Sequence, residues 1–369
     1  MKPCFLSVLS CCAIAVGAIP VPASAINVVF DYSYDLATDN FFNNNAAAKL
    51  ALEQAGADIS AAITSSLSAI SPTGTPNVNL ITGTSGSTSA TADWQYQITN
   101  PSTGATENFL SPTVAANEVR IYVGMRELTG STLGTGGPSG AGASLGFSGF
   151  NGQVQSAVND LQTKSNQYMG RGSGPTIGTL NSGGVVFGET ISYSLSYGVG
   201  IANLWFDNDK NNDGTADANV GDYWHFDHTT SVATGKSDFY SVALHEILHS
   251  IGIGASDSWG NNISGTDPKD WTGANVIALR GALGGNDVIS SGGDHIANGL
   301  MSWNIYNGAA QEVAMDPDIT TGTRKYLTEL DLAFLRDIGW STIVAVPEPS
   351  RALLATFGLL LMVMKRRRK

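Results

Sequence analysis

The feature that most constrains this chain is a run at residues 238–252 whose apolar positions recur with helical spacing. Val242, Leu244, Ile247, Leu248 and Ile251 can face a core, while His245 and His249 stand four apart on one face of the helix. Two imidazoles in that geometry can take adjacent corners of a zinc tetrahedron. Glu246 sits beside them, placed to deprotonate a water that the metal acidifies. A motif this short also occurs by chance on ordinary helices with surface histidines. Here, however, the chain holds only five His, and two of them take this spacing.

A catalytic zinc needs a third protein ligand and leaves its fourth place to water. Gly252, three residues after His249, resembles the metzincins, in which a glycine turns the chain sharply at the helix end. The usual metzincin pattern would put the third ligand at position 255, where Ala255 cannot ligate. Three candidates remain: Asp257, close but two residues late; Glu329, which would suit a gluzincin-type arrangement; and His295, the preferred one. His295 lies in Asp294-His295-Ile296-Ala297-Asn298-Gly299-Leu300-Met301, and Met301 would form the Met-turn beneath the metal, with Met315 as its alternative. Tyr306 is either a structural tyrosine or a group able to reach the metal.

The late His resembles the leishmanolysin branch of the metzincins. Together with Thr328-Glu329-Leu330-Asp331-Leu332 and Asp337-Ile338-Gly339-Trp340, it is also similar to metallopeptidase-like bacterial proteins that carry PEP-CTERM tails. The resemblance is strongest from about 200 to 340. It implies a zinc metallopeptidase of two lobes: an upper twisted mixed sheet with helices, and an irregular lower lobe with a Met-turn and a C-terminal helix. The thiol latency switch of leishmanolysin does not carry over, because Cys4, Cys11 and Cys12 all precede the expected mature chain.

Element order supports an α+β class. A strand is expected at Ile26 to Tyr34 and a helix over Asn45 to Ile70. Strands follow at 78–82, 93–98 and 118–127, then a Gly/Ser-rich surface loop at 129–150. A second helix spans Gln153 to Met169, strands return at 184–195 and 201–206, and Leu327 to Ile338 closes as a helix. The expected domain is 26–345, with an upper lobe to about 253 and a lower lobe from about 254.

Both ends read as address labels. Lys2, an apolar run to Ile19 and Ala23-Ser24-Ala25 form a signal peptide over 1–25. At the other end, Val346-Pro347-Glu348-Pro349 precedes an apolar stretch, Ala352 to Met364, and a basic cluster, Lys365 to Lys369. This tail over 346–369 resembles the PEP-CTERM sorting signal. The resemblance implies export in a Gram-negative bacterium, transient inner-membrane anchoring through a transmembrane helix, processing by exosortase-type machinery, and a final place at the cell surface or in the extracellular matrix. A permanent tail anchor is the other reading.

The net charge is −12, and about −19 once Lys2, Arg351 and the five basic residues at 365–369 are set aside. So acidic a body repels phosphate backbones, which excludes nucleic acid as a partner. Charged residues make up only 14% of the chain and glycines number 43, a loop-rich extracellular composition.

Asp209, Asn211, Asp213 and Asp217 alternate around Gly214 as a calcium loop would, although Val220 stands where an EF-hand needs its bidentate Glu. His225 and His228 could line a cleft or hold a structural zinc, or simply belong to a loop. The expected function is zinc-dependent hydrolysis of a peptide or protein substrate, with Glu246 as base. The alternative is a non-catalytic, adhesin-like surface protein that keeps the fold.

Overall fold

Two apolar strands form the middle of the main sheet. The computed structural model describes residues 26–71, 88–149, 152–266, 270–281, 288–290 and 292–343. Within it run β1 (Asn27–Asp31), α1 (Ala46–Ala62), β2 (Thr88–Thr99), β3 (Thr106–Leu110), β4 (Glu118–Arg126), β5 (Gly134–Pro138), β6 (Gly140–Gly149), α2 (Val154–Gly170), β7 (Thr176–Val186), β8 (Glu189–Gly198), β9 (Ile201–Asp207) and α3 (Phe239–Ser250). The main sheet has the order β1-β4-β9-β5; its first three strands are parallel and β5 runs antiparallel at the edge.

Val119, Ile121 and Val123 of β4, and all of β9, are buried, as strands covered on both faces must be. Helices α1 and α3 pack together, and α3 lies against β5 and β9. Phe206 of β9 meets Phe239 of α3 with ring centroids 4.3 Å apart, and Phe42 and Trp224 extend that aromatic core. An antiparallel sheet, β3-β2-β6, touches β9 through β2, and α2 bridges β2 and the β7–β8 hairpin. The fold is mixed α+β with several sheets.

Several expected boundaries move. The first helix stops at Ala62 rather than at 70, because Ile63 bridges to Thr342 and Ile70 to Val114. The expected loop at 129–150 is largely two strands, β5 and β6. The single strand expected at 184–195 straddles a hairpin turn at Phe187 and Gly188, whose φ angles are 49° and 84°. Strand 78–82, the signal peptide and the sorting tail lie outside the described residues. Among the described residues no helix is long and apolar enough to cross a membrane.

Beyond α3 the chain is mostly irregular. It includes a short hairpin, β10 (Met301–Trp303) with β11 (Ala310–Glu312), and closes with α4 (Glu329–Asp337).

Candidate metal centre

Helix α3 starts where Asp238 caps it. The Asp238 carboxylate accepts from the Ser241 amide at 3.1 Å, and Arg324 grips the same carboxylate through Nε at 3.0 Å and Nη2 at 2.7 Å. The helix ends at a true glycine position, since Gly252 has φ of 115°. That turn swings the Ile253 carbonyl back to within 2.8 Å of His249 Nδ1.

His295 arrives from 46 residues further along. It sits on a tight loop, closed by the Ser290 amide donating to the His295 carbonyl at 3.0 Å and pinned by Trp259 Nε1 on the Gly293 carbonyl at 2.7 Å.

The three Nε2 atoms of His245, His249 and His295 converge at mutual distances of 3.2, 3.2 and 3.1 Å. Behind them the Nδ1 atoms are all engaged: His245 with the Ala314 carbonyl at 2.9 Å, His249 with Ile253, and His295 with the Asp294 carboxylate at 2.9 Å. A carbonyl oxygen only accepts, so Nδ1 of His245 and of His249 must carry the proton, which leaves Nε2 as a bare lone pair. Burial and the neighbouring imidazoles hold His245 well below its ordinary value and bring His249 down to about 4.

Lone pairs facing one another at this distance form a donor set that a cation could bridge. Tetrahedral zinc bonded at about 2.0–2.1 Å would set N···N separations of about 3.3–3.4 Å, close to those observed. Neutral imidazoles with outward Nδ1 partners are also the donor set that zinc takes. This is the only such grouping of His, Cys, Asp or Glu among the described residues.

Glu246 is buried beside the histidines, and burial pushes its carboxyl up to about 8; only the Gly136 amide beside it pulls the other way. β5 lies directly over this part of α3. A Cβ added to Gly136 would fall 2.6 Å from the Glu246 carbonyl oxygen, and one on Gly134 would fall 2.9 Å from Glu246 Cγ. Gly134 and Gly136 therefore let an edge strand approach the helix. Between β5 above and residues 294–295, 314–319 and Lys325 below opens a cleft of about 720 Å³, with the three histidines and Glu246 on its floor.

Other expected site residues lie elsewhere. Asp257 begins a short helix and does not join the cluster, and neither does Glu329 at the start of α4. Met301 is half exposed in β10. Met315 is fully buried, directly after the Ala314 carbonyl that takes His245 Nδ1. Tyr306 is also half exposed and packs on Tyr326 rather than facing the histidines. His225 ends a two-residue strand paired with Ser237–Asp238 and bonds to the Asp227 carbonyl, and His228 lies in the following turn and stacks on Tyr240.

The expected calcium loop shows its side chains bonded to its own amides. The Asp209 carboxylate accepts the amides of Asp213 and Gly214, Asn211 accepts from Asp213, and Asp217 accepts from Lys210. These side chains close the turn on itself instead of converging on one point, and no cation site is assigned there.

Two supports were not singled out from the sequence. Asp294 orients His295; although partial burial opposes it, the His295 hydrogen bond holds this carboxyl below the usual range. Its position next to a proposed ligand was the available signal. Asp331, fully buried at the start of α4, accepts the amides of Ala314 at 3.0 Å and Met315 at 3.3 Å while closing a capping box with Thr328. It thereby fixes the carbonyl that orients His245. Asp331→Ala would leave several buried N–H groups unpaired. It is expected to cost about 3 kcal/mol or more in denaturant unfolding; a loss below about 1 kcal/mol would show that the turn holds itself.

The chain matches no protein-family model, no curated protein and no solved structure.

Proposed function

We propose that this chain is an exported zinc-dependent endopeptidase. The observation that carries the reading is the convergence of three imidazole lone pairs on the floor of a cleft, with the buried Glu246 beside them. Zinc held by His245, His249 and His295 would supply a Lewis acid that polarises a peptide carbonyl and acidifies a water.

The protein's own groups then do the rest. Glu246 would take the proton of the attacking water and pass it to the departing amine. Ala314, Ile253 and Asp294 keep the ligand imidazoles in the required tautomer. Among the described residues no strand pairs with the outer edge of β5, which is side-chain-poor; apart from the Gly136 amide beside Glu246, that edge suits the addition of an extended peptide as a further strand.

Under this reading the lobes are metzincin-like, divided near residues 253–254 and meeting at the cleft. The sequence signals at either end would deliver the enzyme to the cell surface through a transient membrane anchor. An adhesin-like role would leave a buried carboxylate in the same cleft as the histidines without a purpose.

The test is direct. The purified chain should hold one zinc and cleave an unfolded protein such as casein. Cleavage should stop with 1,10-phenanthroline and return with added zinc. Proteolysis indifferent to the chelator, or zinc retained with no cleavage, overturns the reading.

A further inference from the structure

A second pocket, of about 290 Å³, lies on the other face of β5 and shares Thr135 and Gly136 with the metal cleft. The register shows which face is which. Thr135 pairs with Trp205 and Gly137 with Asn203, so these four share one face; Gly134 and Gly136, opposite Phe206 and Leu204, face α3 and Glu246. All four residues of the first set line the second pocket, and β2 and β3 roof it with Thr99 and Thr106.

A peptide added along the free edge of β5 continues the same pleat. Its side chains therefore alternate, one set toward the metal floor and the other toward this second pocket.

Resting on the peptidase reading, we infer that the pocket is a specificity subsite for an uncharged, hydrogen-bonding substrate side chain: serine, threonine, asparagine or glutamine. No charged residue lines it, so an ionised side chain would enter without a counter-charge. The Asn203 carboxamide oxygen is taken by the Thr99 amide at 3.3 Å, which leaves its nitrogen as a donor with no partner among the described residues. The hydroxyls of Thr99, Thr106 and Thr135 likewise have no hydrogen bond to described protein groups. A purely apolar side chain would seal these groups away unpaired. Trp205 forms a wall, with the Arg126 guanidinium 4.2 Å from its ring centroid.

Gly137 makes the inference testable. A Cβ there meets nothing within 4 Å, and its φ lies outside the left-handed region, so a larger residue fills the pocket without straining the strand. A peptide library is digested by the wild-type chain and by Gly137→Leu, with zinc content measured on both.

The wild type should favour Ser, Thr, Asn or Gln over charged residues by about tenfold at one fixed position beside the cut. Gly137→Leu should keep its zinc and lose that preference while still cleaving peptides with Gly or Ala there. Thr99→Val with Thr106→Val, which leaves β5 untouched, should weaken the same preference if the leucine variant fails to fold.

A wild type with no such preference, or a preference that both variants leave intact, overturns the subsite. A wild type that binds zinc yet cleaves no member of the library overturns the peptidase reading, and the subsite with it.

Discussion

Glu246→Gln is expected to keep one zinc per chain and to lower peptide turnover by about 10²–10⁴-fold. The carboxamide has nearly the same shape, so it should fit between α3 and the glycines of β5 without displacing either. It cannot, however, accept the proton of the attacking water. Metal content by elemental analysis, read beside steady-state rates on the same preparation, separates the two effects. Full turnover in the variant would remove Glu246 from the chemistry. Loss of zinc along with activity would mean that the carboxylate supports the ligands rather than the reaction.

His295→Ala is expected to weaken zinc binding by more than about 100-fold, since changing only the partner behind a ligand already costs about 10–100-fold. Asp294→Asn marks that smaller step, because it alters the hydrogen bond to Nδ1 and leaves Nε2 in place. Competition against a chromophoric chelator measures both. Unchanged affinity in His295→Ala would return the third position to Asp257, which in the structure begins a short helix away from the cluster.

Much of the centre was legible because its chemistry is spaced along the chain. His245 and His249 are bound to one helix face by periodicity, and His295 stood out by its place in Asp294-His295-Ile296-Ala297-Asn298-Gly299-Leu300-Met301. The segment that orients His245 was not legible, because the β10–β11 hairpin intervenes after His295 before the chain returns at Ala314, whose carbonyl takes His245 Nδ1.

The Gly-rich stretch at 129–150 gave no alternation to read, because glycine carries no side chain to pattern and favours strands poorly. Gly134 and Gly136 answer a tertiary demand, the approach of β5 to Glu246, which no local rule contains. The β7–β8 turn was hidden for a related reason. Phe187 takes a positive φ, a position where asparagine or glycine would have announced a hairpin. Class and motif helix followed from local pattern, whereas strand edges and the residues behind the ligands depend on contacts between distant segments.

X-ray absorption at the zinc edge, on the zinc-loaded chain, tests the central claim most directly. The account predicts one zinc per chain with three imidazole nitrogens at about 2.0–2.1 Å and one further light-atom ligand. A shell with two imidazoles completed by carboxylate oxygens, or zinc that never reaches stoichiometry, would contradict it.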